Sequence, residues 1–177
     1  MIESPRIFLR TVKEADLPAL FEALDSIRLK GEYLPSSLLS EMRFRKEYAE
    51  TGFWDEGKGT ALITHPDGTL AGAIWYEASR FGTDLSFYLF RREDRGRGIM
   101  SEALPLFCSY LFATQRVERL QIAIPDYSKA ALRIAQKSGF QFEGILRSAL
   151  FHRGRHLDLC LYSLLRGESK GIEKIYT

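Results

Sequence analysis

Residues 85–101 read Leu85-Ser86-Phe87-Tyr88-Leu89-Phe90-Arg91-Arg92-Glu93-Asp94-Arg95-Gly96-Arg97-Gly98-Ile99-Met100-Ser101. The apolar start of this stretch predicts a β-strand, and apolar residues recur after it at helical spacing, at Ile99, Ala103, Leu106, Phe107, Tyr110 and Leu111. Between strand and helix, the glycines let backbone N–H groups approach a phosphate, and the first turn of a helix leaves N–H donors unpaired. The stretch therefore predicts an anion-binding loop. The alternative is a plain turn that carries a solvated run of charges.

The flanking sequence predicts a mixed sheet with helices on both faces, since strands and helices alternate only in the second half of the chain. Before the loop we expect a strand at Arg6–Arg10, a helix at Glu14–Leu29, a second helix from Ser37 or Leu38 to Thr51, and a hairpin of Ala61–Thr64 and Leu70–Tyr76 around Asp67-Gly68. After it we expect a helix at Gly98–Ala113 kinked by Pro105, a strand at Arg119–Ile124, a helix from Ser128 capped by Gly139, and strands at Phe140–Phe151 and Leu157–Leu165.

Composition limits the class of protein. A chain of 177 residues that is 45% hydrophobic is long enough for one well-cored domain, and a net charge of +2 is too small to argue for nucleic-acid binding. Cys108 and Cys160 both lie in apolar runs, which favours buried free thiols in a reducing compartment. No apolar run approaches the length of a membrane span, and the acidic N-terminus is unlike a signal peptide. We therefore expect a cytoplasmic protein without a membrane or nucleic-acid partner.

Three segments together resemble the GNAT acyltransferases, and more closely their RimJ/RimL-like branch of N-acetyltransferases. The family's core signature, Arg/Gln-x-x-Gly-x-Gly/Ala, here reads Arg95-Gly96-Arg97-Gly98-Ile99-Met100, with methionine at its last position. Residues 125–140, ending in Lys137-Ser138-Gly139-Phe140 and followed by Glu143-Gly144, are similar to the second cofactor segment, although its Asn-x-x-Ser falls on Ser128 and Ala131. The closing pattern is present as Gly154, Asp158 and the apolar residues 159–162. The resemblance runs from Ile7 to about Arg166, so we expect a GNAT domain at residues 1–167 and a polar tail at 168–177.

The resemblance implies a single α/β domain of the mixed α+β type, with a mostly antiparallel seven-stranded sheet. It implies acetyl-CoA as cosubstrate, no metal, and direct transfer of the acetyl group in a ternary complex to a primary amine of a protein N-terminus or a small molecule. The pyrophosphate would lie on the backbone of Arg95, Gly96, Arg97, Gly98, Ile99, Met100 and Ser101, and the rest of the cofactor would contact Leu89, Phe90, Ser128 and Lys137. A homodimer is left open.

The catalytic acid and base are less well marked. The tyrosine and serine that many relatives use fall on Ala135 and Ala131, so a non-catalytic member of the fold stays an alternative. Tyr88 and Ser128 are candidates for acid or proton relay, with sheet packing and a helix N-cap as their alternative roles. Glu77 and Asp84 are candidate bases, or solvated strand ends. An α-amine, with a pKa of about 7.7–8.0, needs little help from a base, whereas a lysine amine near 10.4 needs more.

Other motifs are rejected. Gly52 to Lys58 matches most of a P-loop but is followed by Gly59, and Gly96-x-Gly98-x-x-Ser101 lacks the third glycine of a dinucleotide fingerprint. The three histidines have no cysteine or carboxylate at ligand spacing, so no metal site is expected. The aromatic residues Tyr33, Phe53 and Trp54 either shape an acceptor pocket or pack in the protein.

Overall fold

The computed structural model describes residues 1–26 and 38–171. Its strands are β1 (Ile2–Glu3), β2 (Phe8–Thr11), β3 (Trp54–Asp55), β4 (Lys58–Thr64), β5 (Leu70–Ser79), β6 (Gly82–Leu89), β7 (Arg119–Pro125), β8 (Gln141–His152) and β9 (Arg155–Leu165). Its α-helices are α1 (Leu17–Asp25), α2 (Glu41–Thr51), α3 (Ile99–Thr114) and α4 (Lys129–Lys137), and short 3₁₀ turns lie at Glu14–Asp16, Arg92–Asp94 and Arg166–Glu168.

The strands form one sheet in the order β1-β2-β4-β5-β6-β7-β9-β8, with β3 beside β4. Its pairs are antiparallel except that of β6 with β7, which is parallel. The seven longer strands are those predicted from the sequence, and the two-residue strands β1 and β3 are additions. The predicted mixed, mostly antiparallel sheet is confirmed.

Helices cover both faces of the sheet, as predicted. On one face α1 and α2 pack Leu17, Leu20 and Phe44 against β-strand residues such as Leu62 and Tyr88. On the other face α3 and α4 pack a larger apolar cluster, which includes Ala103, Leu104, Phe107, Leu111, Ala135 and Leu120. The sheet lies between the two clusters. Because side chains alternate along a strand, the central strand β6 contributes to both, with Leu85 in one cluster and Tyr88 in the other.

Several boundaries differ from prediction, each for a local reason. The helix predicted at Glu14–Leu29 opens with a 3₁₀ turn and ends at Asp25, because Ser26 is extended; Ile27–Leu29 lie outside the described residues. The helix predicted from Ser37 or Leu38 starts at Glu41, since the Ser40 hydroxyl accepts a hydrogen bond from the Arg43 N–H and caps it. Ser37 itself lies outside the described residues.

Helix α3 contains the predicted interior proline, and the two cysteines differ in burial. Pro105 lies within α3, which is helical from Ile99 to Thr114, and the kink at Pro105 stays a prediction. Both cysteines are free, but only Cys108 is buried, and burial raises the pKa of its thiol. Cys160 is half-buried because β9 lies next to the edge strand β8. The cap predicted for α4 is present: Gly139 has φ +90° and the Phe140 N–H donates to the Ala135 carbonyl.

Candidate active site

The loop between β6 and α3 has the backbone conformation that an anion site needs. Gly96 and Gly98 both have positive φ, +77° and +82°, and Gly98 is the N-cap of α3. The first helical bond runs from the Glu102 N–H to the Gly98 carbonyl, so the N–H groups of Ile99, Met100 and Ser101 belong to the open first turn. Since the helix dipole adds partial positive charge there, this end of α3 can bind a phosphate.

Two arginines fix the loop to the rest of the fold. Arg95 turns inward, donating to the Tyr88 hydroxyl at 2.8 Å and to the Leu89 carbonyl at 3.4 Å. Arg6 donates to the Arg97 carbonyl at 3.1 Å and forms an ion pair with Glu102. The first arginine of the motif therefore holds the loop against the end of β6, while the loop's backbone remains the part suited to phosphate.

A buried carboxylate precedes the loop. Asp94 is 3% exposed, and its Oδ1 lies 3.0 Å from Nε2 of His65, in the turn between β4 and β5. Its Oδ2 has no hydrogen-bond partner among the described residues. This contact ties the 3₁₀ turn that enters the loop to the neighbouring hairpin.

Strands β6 and β7 separate in the middle of the sheet. Their register has two residue pairs, Thr83 with Leu120 and Asp84 with Gln121, and ends there. Beyond that point β6 continues to Leu89 on its other partner, β5, and β7 continues to Pro125 on β9. The result is an open gap between two parallel strands, which leads from Asp84 and Gln121 toward the anion loop.

Backbone hydrogen bonding shows which groups of β6 face the gap. The Phe90 N–H donates to the Ala71 carbonyl of β5 at 2.9 Å, so this group points away from the gap. Because bonded and non-bonded pairs alternate in an antiparallel ladder, the N–H and C=O groups of Leu85, Phe87 and Leu89 face the gap. Of the predicted cofactor-contacting strand residues, Leu89 presents its backbone to the gap, whereas the N–H of Phe90 is used within the sheet.

The predicted acid candidates lie at the loop end of the gap. Tyr88 is 5% exposed, packs in the cluster with α1 and α2, and accepts the hydrogen bond from Arg95. Ser128 is 5% exposed and occupies the N-cap position of α4, but its side chain makes no capping bond. Ser128 therefore lies where the sequence predicts a cap, at the end of β7, without performing that role.

The predicted base candidates lie at the opposite end of the gap. Glu77 and Asp84 are exposed and face one another across β5 and β6. Gln121 donates from its side-chain amide to Asp84 and accepts at its amide oxygen from Arg119 Nε at 3.1 Å. Because arginine can only donate, this bond orients the amide with its NH₂ group toward the Asp84 carboxylate.

The polar chain continues to the edge of the sheet. Arg119 forms an ion pair with Glu143 of β8, and the Ser163 hydroxyl donates to the same carboxylate at 2.5 Å. The hydrogen bonds from Arg119 and then Ser163 lower the pKa of Glu143 to about 2. These groups hold β7, β8 and β9 together at the point where β6 diverges.

The remaining predicted residues are dispersed. Lys137 is at the far end of α4 from Ser128 and lines a surface groove of about 480 Å³ that also includes Glu102. Trp54 packs against Tyr76 and Phe107 on the α3 side of the sheet, so it is part of the packing of the core. Phe53 lines a separate pocket of about 220 Å³ with Glu77, and Tyr33 lies outside the described residues.

Sequence reasoning missed Arg6, His65, Asp94 and Gln121 as parts of this region. Each acts through a partner distant in the chain: 91 residues separate Arg6 from Arg97, and 29 separate His65 from Asp94. No local motif marks such contacts. Only the strand register could have indicated the pairing of Asp84 with Gln121.

The loop geometry and the strand gap together form a site whose shape and hydrogen-bonding groups suit an extended, anionic ligand. The chain matches the family model "Acetyltransferase (GNAT) domain" over residues 6–141 and belongs to that family. It is therefore an acyltransferase, and acetyl-CoA is the acyl donor, as predicted.

Known proteins agree with this membership. The chain is similar to the probable N-acetyltransferase YjcK of Bacillus subtilis, with 27% identity over 130 residues covering 72% of this chain and 70% of that protein. Its fold matches spermidine N-acetyltransferase from Vibrio cholerae, solved with CoA and spermine, at a TM-score of 0.82 and 15% identity over 94% of this chain and 99% of that one. The fold also matches RimL, a ribosomal L7/L12 α-N-protein acetyltransferase solved with CoA, at a TM-score of 0.76 and 20% identity, over 92% of this chain and 95% of that one.

The described ranges contain neither a cluster of metal ligands nor a helix that could span a membrane. Within residues 1–26 and 38–171, no three His, Cys, Asp or Glu side chains group so that they could hold a metal ion. In the same ranges, no helix has the length and apolar character needed to cross a membrane.

Proposed function

We propose that this protein transfers the acetyl group of acetyl-CoA to a primary amine, with the donor in the β6–β7 gap and its pyrophosphate on the first turn of α3. The observation that carries the proposal is the gap itself, because it exposes the backbone of Leu85, Phe87 and Leu89 and leads to the predicted anion-binding loop. An extended amide-containing chain can pair with such an edge as a strand would. Arg95 holds the loop against the end of β6, and Lys137 lines the surface groove that also includes Glu102 of α3.

The chemistry needs few side chains. A backbone N–H of β6 that faces the gap, from Phe87 or Leu89, can donate to the thioester oxygen and stabilise its developing charge. The amine nitrogen forms the new bond to the acetyl carbon, the carbon–sulfur bond breaks, and sulfur leaves with the electron pair. Holding the two reactants side by side is worth about 7–11 kcal/mol, which is a large part of such a barrier.

Proton transfer involves the end of the gap farthest from the anion loop, where the thioester would lie when the pyrophosphate is on α3. Asp84, oriented by Gln121, is our candidate for accepting the amine proton directly or through water, and Glu77 lies beside it. Ser128 lies at the loop end, at the N-cap of α4, so we assign it to cofactor contact, and water returns the proton to the sulfur. We assign Tyr88 to holding Arg95, since its hydroxyl already accepts from that guanidinium. A thiol of pKa about 8.5 also leaves readily as thiolate.

The alternative of a non-catalytic CoA-binding protein is not kept, because the chain belongs to an acetyltransferase family. Ala135, at the position where many relatives carry a tyrosine as the acid, is fully buried in the core and offers no polar group, so the thiolate takes its proton from elsewhere. The domain limits, the cytoplasmic location and a homodimer stay predictions.

The test combines binding with turnover. Acetyl-CoA should raise the melting temperature, and free thiol should appear when N-terminal peptides or small amines are added. A thermal shift without thiol from any amine would contradict the proposed transfer to an amine. No shift at all would contradict the proposed donor site.

A further inference from the structure

The anion loop has little backbone support of its own. In the described part of the chain, the N–H groups of Gly96, Arg97 and Gly98 donate no backbone hydrogen bond, which leaves them available to an anion. Gly96 and Gly98 also have positive φ, and glycine adopts other backbone conformations as readily. The shape of the loop therefore depends on side-chain contacts with the neighbouring elements.

Three side-chain contacts connect the loop to the rest of the fold, and they differ in burial. Arg6, whose side chain is 59% exposed, reaches the loop backbone from the turn after β1, and solvent weakens an exposed charged contact of this kind. Arg95 reaches back from the loop to strand β6. The third contact is the most deeply buried, because Asp94 is 3% exposed where it meets Nε2 of His65.

His65 is held firmly by the turn in which it lies. Its N–H donates to the Thr69 carbonyl and its carbonyl accepts from the Gly68 N–H, both at 2.9 Å, and Asp67 accepts from the Thr69 N–H at 2.9 Å. The turn joins β4 and β5, which both lie inside the sheet. The ring is thus presented from a rigid support, and because a carboxylate accepts hydrogen bonds, Nε2 of His65 is the donor.

Loss of the His65 ring would leave a buried carboxylate unpaired. Oδ2 of Asp94 already has no partner among the described residues, and Arg91 of the same turn is paired with Glu93. A buried carboxylate without a partner is strongly disfavoured, so the Asp94 side chain would have to turn toward water. The 3₁₀ turn that Asp94 ends is three residues long and continues directly into Arg95, so this movement would displace the loop backbone.

We propose that His65 and Asp94 are positioning residues for acetyl-CoA, whose contact holds the anion loop in the conformation that binds the pyrophosphate. The inference rests on the proposed donor site and adds to it a residue from the β4–β5 turn. Neither side chain lies in the gap where the acetyl group would be transferred. Their loss should therefore change the affinity for the donor and leave the rate of transfer from bound donor unchanged.

The experiment measures CoA binding by isothermal titration calorimetry and thiol release over a range of acetyl-CoA concentrations, with the amine that gives the fastest release. His65→Leu should raise the Kd of CoA and the KM of acetyl-CoA by about tenfold, the loss expected when one charge-assisted hydrogen bond to the pyrophosphate is weakened. At saturating acetyl-CoA, kcat should stay within about twofold of the wild type. His65→Gln should recover most of the affinity, because its side-chain amide can donate to Asp94.

A double-mutant cycle and a control separate positioning from stability. If His65 acts through Asp94, His65→Leu should lower the CoA affinity no further in a chain that already carries Asp94→Ala. Tyr76→Phe is the matched control, because Tyr76 is 2% exposed, accepts a hydrogen bond from Gln115 at 3.0 Å, and pairs with Leu85 in the middle of β6, away from the loop. This control should lower the melting temperature and leave the affinity for CoA unchanged.

The outcomes distinguish the inference from the proposed function. Wild-type CoA affinity in His65→Leu, an equal loss of affinity in Tyr76→Phe, or a His65→Gln variant as weak as His65→Leu would overturn the inference and leave the donor site intact. Absence of CoA binding in the wild type would contradict the proposed function and the inference with it. If Asp94→Ala does not fold, the two His65 variants and the Tyr76 control decide.

Discussion

Replacement of Gly98 by valine tests the phosphate site most directly. Gly98 has φ +82° at the N-cap of α3, and a side chain there costs about 1–2 kcal/mol of backbone strain. An added Cβ would lie 3.6 Å from the Arg6 guanidinium, an ordinary contact, so the fold should survive. For a chain of this length that strain lowers the melting temperature by roughly 2–8 °C.

The effect on the ligand should be larger than the effect on the fold. If the side chain prevents even one charge-assisted bond between the loop backbone and the pyrophosphate, about 1.5–3 kcal/mol of binding is lost. The dissociation constant of CoA should therefore rise by about 10- to 100-fold, as measured by isothermal titration calorimetry.

Gly52→Val supplies the matched control. Gly52 also has positive φ, +63°, at the end of α2, and no atom lies within 4 Å of its would-be Cβ. The Gly52→Val variant should show a similar decrease in melting temperature, and its affinity for CoA should be unchanged. Wild-type CoA affinity in Gly98→Val, or an equal loss of affinity in both variants, would refute our placement of the pyrophosphate.

Three further predictions concern residues around the site. The folded protein lowers the pKa of Glu143 to about 2, so the ionised carboxylate stabilises the fold above pH about 4.3, and this contribution is lost as the pH falls toward 2. The free energy of unfolding of Glu143→Gln should therefore be about 1 kcal/mol below that of the wild type at pH 7, and the difference should disappear at low pH. His65→Ala should lower the free energy of unfolding by about 1–3 kcal/mol, because it removes the hydrogen-bond donor to buried Asp94. In a double-mutant cycle measured by urea unfolding, the loss in the variant that combines His65→Ala with Asp94→Ala should be smaller than the sum of the two single losses. Tyr88→Phe should raise the KM of acetyl-CoA several-fold by releasing Arg95 while kcat stays within about threefold; a kcat loss of 100-fold or more would make Tyr88 the acid.

The donor side of the site was predictable because its signals are local. A glycine loop between a strand and a helix requires only neighbouring residues, and Gly96, Gly98 and the first turn of α3 have the expected geometry. Hydrophobic periodicity likewise predicted the seven longer strands. The errors occurred at helix boundaries, where a single residue such as the N-cap Ser40 or the extended Ser26 decides where the helix begins or ends.

Other parts of the site depend on contacts distant in sequence. The sequence predicts a cofactor contact for the backbone of Arg95, and it gives no sign that the Arg95 guanidinium donates to the Tyr88 hydroxyl and the Leu89 carbonyl. Phe90 is also a predicted cofactor contact, and the sequence does not show that its N–H donates to the Ala71 carbonyl. Which groups of a strand face outward depends on the register with its neighbour, and a slip of one residue would reverse it.

In the proposed arrangement the donor is held mainly by backbone groups, and this has a consequence for sequence variation. Backbone N–H groups of the loop and of β6 would contact the donor, so most side-chain substitutions there should leave donor binding unaffected unless they change φ, as at Gly98. The other wall of the gap, β7, is kept in place by its register of seven residue pairs with β9, which lies outside the proposed donor contacts. Substitutions that preserve this register should therefore preserve the width of the gap.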